Sequence, residues 1–328
     1  MINFARSNKN VKMKKEVLYI VVPCYNEHEV LPMTVVRLSR VLDDMARQEL
    51  VADESRILCV DDGSTDGTWQ LIEQLAGQQE RLCGVKLAAN VGHQNALMAG
   101  LETAIERADL TVTIDADLQD DINVIPDMVA RWRDGADIVY GVRRERKTDT
   151  WFKRTTALTF YRLMERLGVK SVYNHADYRL MSRRAVAQLM RYRERNLFLR
   201  GIVPLVGYKT ERVYYDRSAR LAGESKYPLG KMLGFAIDGI TSFSIKPVRM
   251  VFTLGVLFTF IALVILIYTL VAYFTGRAVS GWASLILSLW FIGGCVLIGL
   301  GIVGEYIGKI YIEVKDRPRY NIETKVLK

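Results

Sequence analysis

Cysteine and histidine are scarce in this 328-residue chain, and the scarcity closes off several chemistries. The four cysteines, Cys24, Cys59, Cys83 and Cys295, show no paired spacing, and the first three fall in or beside expected strands. They read as reduced packing residues of a cytoplasmic protein rather than as a disulfide framework. Three scattered histidines give zinc no ligand set. No G-x-G-x-x-G follows a strand and no G-x-x-x-x-G-K-S/T occurs, so neither a Rossmann dinucleotide site nor a P-loop is supported. The residues before Val17 are basic and polar without an apolar core, which argues against a signal peptide. Internal repeats and low-complexity segments are missing as well.

Long apolar runs, in contrast, are present, and they are confined to the last third. Residues 250–274 and 282–304 carry no formal charge. Each exceeds the roughly 20 residues that cross about 30 Å of hydrocarbon as a helix. Only residues 275–281 separate them, so the two form a hairpin, and that loop holds a single basic residue, Arg277. Lys246 and Arg249 precede the first run, while Lys309, Lys315, Arg317 and Arg319 follow the second. The positive-inside rule then puts both flanks, both termini and the large domain in the cytoplasm. A net charge of +9 points, with two spans present, to anionic lipid and phosphorylated ligands rather than to nucleic acid.

From residue 17 to 140 the pattern alternates strand and helix. Strands are expected at 17–22, 57–60, 85–87, 110–114 and 137–140. Between the first two, Val30, Val35, Leu38, Val41, Leu42 and Met45 recur at helical spacing. Asp66 is placed to cap one following helix, and Asn90 or Gly92 to begin another. The expected fold is α/β, a mostly parallel sheet with helices on both faces. Residues 141–220 read as irregular and strongly basic. After them Leu229, Met232, Leu233, Ala236, Ile237 and Ile240 form an apolar stripe just before the spans, suited to an interfacial amphipathic helix.

The chemistry gathers at three strand ends. These are Pro23-Cys-Tyr25-Asn26-Glu27, Asp61-Asp62-Gly63-Ser64-Thr65-Asp66-Gly67 and Asp115-Ala116-Asp117-Leu-Gln119. Open α/β sheets place ligands at such carboxyl ends. Tyr25 offers a stacking face, and Glu27 and Asp62 can accept hydrogen bonds from a base or a ribose. Asp115 and Asp117, with the neutral oxygen of Gln119, are hard ligands that suit Mg²⁺ or Mn²⁺ bridging a diphosphate. Each loop alone is compatible with ordinary turn chemistry; three in register call for a common ligand.

The P-x-Y-N-E, D-D-G-S-x-D-G-T and D-A-D-L-Q sequences resemble glycosyltransferase family 2, which has the GT-A fold. Asn90-x-Gly92, Asp177-Tyr-Arg179-Leu-Met-Ser-Arg183 and Gly223-Glu-Ser-Lys226-Tyr227 resemble its polyprenyl-phosphate branch. Arg195-Asn-Leu-Phe198, Ile240-Thr-Ser-Phe243 and Gly304-Glu-Tyr-Ile-Gly308 look most like bactoprenol (undecaprenyl-phosphate) glucosyltransferases of O-antigen modification. The resemblance implies a division into a basic tail (1–16), a GT-A catalytic domain (17–226), a juxtamembrane helix (227–246), two transmembrane helices (247–308) and a basic cytoplasmic tail (309–328). It also implies roles for individual residues. Pro23, Tyr25, Glu27 and Asp62 would hold the nucleoside, with Asp61 nearby. Asp115, Ala116 and Asp117 would line the diphosphate. Asp117 and Gln119 would hold the metal. Arg143 would lie near both phosphates, and Arg220 and Lys226 would close over the donor. Asp177 matches an acceptor-side carboxylate, and Lys153 and Arg154 lie in the region for acceptor phosphate without a choice between them.

What the resemblance implies is inverting transfer of one sugar, best matched by glucose from UDP-glucose, to undecaprenyl phosphate at the inner membrane of a bacterium. Mannose, an aminosugar or an aminoarabinose-type sugar are the alternatives. A homotetramer, a flippase and a downstream glycosyltransferase are the implied partners. A processive polysaccharide synthase fits less well, because its Q-x-x-R-W is missing: the one Arg-Trp pair, Arg131-Trp132, is preceded by Met128 where Gln is needed. A non-catalytic sugar-nucleotide-binding scaffold would have lost the acidic or basic residues, and they are present.

Overall fold

The computed structural model describes residues 15–144, 175–195, 197–216, 246–275 and 281–328. Strand β1 (Leu18–Cys24) is buried at every position. Its side chains alternate between faces, so it has to be covered on both. Leu18, Ile20, Val22 and Cys24 enter one core, and Tyr19 and Val21 the other. Helix α1 (Leu31–Arg47) lays Leu31, Val35, Leu38, Leu42 and Met45 on the first core, and α2 (Thr68–Gln78) adds Trp69, Ile72 and Ala76. Helix α3 (His93–Ala104) covers the opposite face with Ala96, Leu97, Leu101 and Ala104. Each large aliphatic side chain buried this way contributes about 1.5–3 kcal/mol.

The sheet has eight strands in the order β7-β5-β6-β4-β1-β2-β3-β8. Here β2 is Arg56–Asp61, β3 Leu82–Leu87, β4 Leu110–Thr113, β5 Ile138–Arg143, β6 His175–Ser182, β7 Thr210–Tyr215 and β8 Ile322–Val326. Strands β3, β2, β1 and β4 run parallel, and β6 lies antiparallel between β4 and β5. Pro23 is tolerated in central β1 because β1–β4 pairing has already ended at Val21 and Thr113. Helices α4 (Ile125–Arg133), α5 (Arg183–Leu189) and the short α6 (Leu199–Ile202) complete the two layers.

All five expected strands are present, and β6 and β7 fall within the region read as irregular. Asp66 does not occupy the cap position of α2. Gly67 does, and the Asp66 carboxylate accepts from the Thr68 N–H at 3.0 Å. Gly92 begins α3, as expected.

Residues 309–328, expected as a basic tail, are ordered as helix and strand. Helix α8 (Trp282–Val314) continues well past Gly304, and β8 then pairs antiparallel with β3. Ile322-Glu-Thr-Lys-Val326 alternates β-branched and charged residues, a short strand pattern that the sequence reading passed over. Its hold comes from the backbone ladder, from Lys86–Glu323 at 3.0 Å and from Lys325–Glu106 at 3.5 Å. The stripe over 227–245 and residues 1–14 lie outside the described residues, and Lys246 already opens α7 (Lys246–Phe274).

At 1.5 Å per residue, α7 and α8 are about 43 and 50 Å long. Both expose apolar side chains on all sides, Phe252, Phe260, Leu289 and Leu297 among them, and both are candidate membrane spans by length and composition. They meet through an edge-to-face contact of Phe258 with Phe291, ring centroids 5.9 Å apart, and where Gly299 faces Val251.

The packing of α3 on the sheet is testable at Gly100. A Cβ there would stand 2.4 Å from Val21 Cγ1 and 2.7 Å from Val60 Cγ2. Gly100→Ala gains up to about 1 kcal/mol of helix propensity. It must also displace two β-branched side chains, at a cost of about 1–3 kcal/mol. The expected outcome is a lower Tm for the purified protein; an unchanged or higher Tm would refute this close approach.

Candidate active site

Loops after β1, β2 and β4 meet at one edge of the sheet because those strands are parallel neighbours. The first two are tied together directly. The Asn26 N–H donates to Ser64 Oγ at 3.0 Å, and the Thr65 N–H donates to Asn26 Oδ1 at 2.9 Å. The Glu27 N–H donates to Thr68 Oγ1 at 3.0 Å. Asn26 takes a left-handed φ of 56°, which a short polar side chain tolerates better than most. Gly63 is required as glycine: its φ is +67°, and a Cβ would come within 2.5 Å of the Asn90 backbone nitrogen.

Above this frame Tyr25 is half exposed, so its ring face is open. Glu27 is partly exposed, whereas Pro23, Asp61 and Asp62 are buried. Asp62 does not point both oxygens at a ligand. They accept from the Val91 N–H at 2.8 Å and the Gly92 N–H at 2.9 Å, bracing the start of α3. Burial raises its carboxyl above the ordinary range, and those two N–H groups oppose the shift. Burial also raises Asp61, whose Oδ1 finds no partner among the described groups.

The third loop is a tight turn. The Leu118 N–H reaches the Asp115 carbonyl at 3.3 Å, and Leu118 takes a φ of 46°. The Ala116 carbonyl accepts from Thr34 Oγ1 of α1 at 2.6 Å. Asp117 Oδ1 accepts from the Gln119 N–H at 3.2 Å, and Gln119 itself is buried. Asp115 is raised above the ordinary carboxylate range, first by burial and then by Asp177, Asp120 and Asp117, with His93 opposing.

Asp177 arrives from β6. Thr113 Oγ1 donates to its carbonyl oxygen, which fixes β6 against the end of β4. Its Oδ1 pairs with Arg179 and its Oδ2 with Arg200 at 3.2 Å. Burial alone would raise this carboxyl, but Arg200, Arg179 and His93 outweigh burial and hold it well below the usual range. Such a carboxylate is a poor proton acceptor near neutral pH. His93 Nε2 lies 3.6 Å from Asp115 and 3.8 Å from Asp177, between the two. Arg143 is held by Asp120 through Nε at 3.1 Å and a terminal nitrogen at 3.0 Å, and by Tyr215 Oη at 3.3 Å. Lys153, Arg154, Arg220 and Lys226 lie outside the described residues.

The oxygen donors fit a hard divalent cation. Among the described residues no three His, Cys, Asp or Glu side chains close on one point, so an ion here would need further oxygens, which a diphosphate supplies. Sequence reading missed His93, Asp120 and Arg200. His93 directly follows the Asn90-x-Gly92 signal and Asp120 follows Gln119, so proximity could have found those two; Arg200 carries no local signal.

A family model, Glycosyl transferase family 2, matches residues 19–190, which span β1 through the end of α5. The chain belongs to that family. The family's GT-A architecture is the one described above, and the protein is a glycosyltransferase. An uncharacterized glycosyltransferase of Bacillus subtilis, YkoT, is 55% identical over 313 residues, covering 95% of this chain and 93% of that protein. A prophage-derived bactoprenol glucosyl transferase of Shigella flexneri is 40% identical over 309 residues, covering 93% and 96%. A prophage bactoprenol glucosyl transferase homolog of Escherichia coli is 39% identical over 306 residues, covering 93% and 97%. Among solved structures, the Pyrobaculum calidifontis mannosyltransferase PcManGT, with GDP-Man and Mn²⁺, is 16% identical with a TM-score of 0.43, covering 93% of this chain and 86% of that one.

Two substitutions separate chemistry from architecture. Asp117→Asn keeps shape and should abolish turnover with little change in Tm. Asp177→Asn removes the counter-charge of Arg179, which is only 2% exposed, and should cost about 3–5 kcal/mol of stability. The depressed pKa sets the pH window. The contribution of Asp177 is fully present above the unfolded carboxylate value near about 4 and fades only as pH falls below it. A stable Asp177→Asn variant, or a destabilised Asp117→Asn variant, would reverse these roles.

Proposed function

We propose that this glycosyltransferase moves a single glucose from UDP-glucose to undecaprenyl phosphate, with inversion, at the cytoplasmic face of a bacterial inner membrane. The observation that carries the reading is similarity to bactoprenol glucosyl transferases that runs through the catalytic sheet and the apolar hairpin alike. An acceptor whose tail stays in the bilayer requires a catalytic domain held at the membrane surface, and α7 and α8 supply two candidate spans. Basic residues flanking the spans on the catalytic side support the cytoplasmic orientation.

In this reading Tyr25 stacks on the base, and Glu27 accepts from base or ribose. Pro23, Asp61 and Asp62 support that pocket from beneath. Asp115, Ala116 and Asp117 line the diphosphate, with Asp117 and Gln119 holding Mg²⁺ or Mn²⁺ beside Asp115. The cation, when bound, supplies positive charge that offsets the charge on the departing diphosphate. Arg143 lies near both phosphates, Arg220 and Lys226 close over the donor, and Lys153 or Arg154 meets the acceptor phosphate. That acceptor is already anionic, so the reaction has little need of a general base. Asp177 accordingly orients: it positions Arg200 and His93. The product serves O-antigen or related envelope glycan modification, with a homotetramer, a flippase and a downstream glycosyltransferase as partners.

Membranes containing the protein, incubated with labelled UDP-glucose, undecaprenyl phosphate and Mg²⁺ or Mn²⁺, should yield a mild-acid-labile glycolipid, and chelation should stop its formation. Polymer, free sugar alone, or full activity in chelator would overturn the reading. Parallel reactions across UDP- and GDP-sugars test the glucose assignment, and a higher kcat/KM for another donor would replace it.

A further inference from the structure

At the foot of α8 a cavity of about 400 Å³ opens between the catalytic domain and the outgoing chain. It is lined by Asn95 of α3, Arg195, Tyr311, Lys315, Arg317 and Arg319. A second hollow of about 270 Å³ shares Arg195 and Arg319 and adds Arg193 and Asp316, so the two form one crevice. Five basic side chains thus line the crevice, with Asp316, Glu313 and Glu194 beside them.

The crevice is anchored. The Arg195 N–H donates to Glu313 Oε1 at 2.6 Å, its guanidinium pairs with Asp316, and Arg319 donates to the Tyr192 carbonyl. Burial, then the neighbouring Arg195, push the Arg319 guanidinium below its ordinary pKa, with Tyr320, Glu194 and Glu313 opposing. A helix C-terminus favours one cation in its last turn. It does not account for Arg193 and Arg195, which come from a different segment. The basic side chains outnumber these carboxylates, and such an excess in a concave site concentrates anions.

Position narrows the ligand. The candidate span Phe291–Val314 ends where the crevice begins, so Lys315, Arg317 and Arg319 emerge at headgroup level. Tyr311 and Ile312 give the crevice an apolar wall continuous with the exposed apolar surface of α8. A phosphate on an apolar tail matches both walls, whereas free phosphate matches only one.

We propose that this crevice binds the phosphate of a membrane lipid at a site separate from the donor-binding loops. The proposal rests on the membrane reading of the hairpin and not on the identity of the sugar. Asn95 stands two residues beyond His93 in the first turn of α3, so the bound phosphate lies beside the helix that presents His93 to Asp115 and Asp177. Two lipids share the required chemistry, an anionic phospholipid and a polyprenyl phosphate.

The test uses full-length protein in neutral detergent, titrated with dihexanoyl phosphatidylglycerol, dihexanoyl phosphatidylcholine, farnesyl phosphate and inorganic phosphate, with binding read by native mass spectrometry. One or both anionic lipids should bind in preference to phosphatidylcholine. The double variant Lys315→Gln/Arg317→Gln should weaken that binding roughly 10–30-fold, and Lys315→Arg/Arg317→Lys should retain it. Stronger binding of phosphatidylglycerol identifies a structural phospholipid, and stronger binding of farnesyl phosphate a second polyprenyl-phosphate site apart from the acceptor position assigned to Lys153 or Arg154. Equal affinity for phosphatidylcholine, binding of inorganic phosphate alone, or unchanged binding in the double glutamine variant overturns the proposal. Glucosyl transfer in phosphatidylcholine nanodiscs is measured alongside. Transfer without lipid preference rejects the crevice alone; lipid preference without transfer rejects the glucosyltransferase reading and leaves the crevice standing.

Discussion

Asp177 and Arg179 sit two residues apart on β6, so their side chains leave the same face of a buried strand and meet there. The pair brings charge into the sheet next to the strand whose end bears Asp115 and Asp117. Without Arg179 and Arg200, a third carboxylate could not be held ionised so near the other two. With them, Asp177 acts as a fixed acceptor that locates cations, while burial and the neighbouring carboxylates raise the Asp115 carboxyl. The same logic recurs one loop away, where Asp120 restrains Arg143. The site is organised by ion pairs that fix where the remaining charges can go.

Much of the architecture could be read from residue order. Continuous apolar runs such as 18–22 announce strands covered on two faces, and the turn-rich Asp61–Gly67 sequence announces a strand-to-helix loop. Strand β6 escaped because its pattern is broken by charges that cancel only in three dimensions. A linear reading scores Asp177 and Arg179 as solvent-facing, although Arg179 is almost wholly buried. Strand β8 escaped although its residues alternate β-branched and charged, because it is a short, exposed edge strand whose partner β3 lies more than two hundred residues away. Asp62 shows the same limit inside the site. Its motif suggested a ligand contact, and only the fold reveals that its oxygens are engaged by the backbone at Val91 and Gly92.

The hairpin is not a loosely tethered anchor. Helix α8 leaves its apolar stretch, is gripped by Arg195 through Glu313 and Asp316, and returns to the catalytic sheet as β8. The connection from Lys315 to Asn321 is short, so the orientation of α8 relative to the sheet is set by bonded geometry at one end and by the Arg195 contacts at the other. A surface enzyme that must meet a ligand at a fixed depth gains from such a joint, because reach and tilt are no longer left to a flexible linker.

Strand β8 is made long after the strand it pairs with. Its partner β3 is made more than two hundred residues earlier, as the separation of Lys86 from Glu323 shows, and its edge stays open until α7 and α8 have been made. A chain in which α8 did not return to the catalytic domain would leave that edge exposed. The eighth position of the sheet is therefore filled only when α8 has taken its seat beside Arg195, which makes the apolar hairpin part of how the catalytic domain is completed.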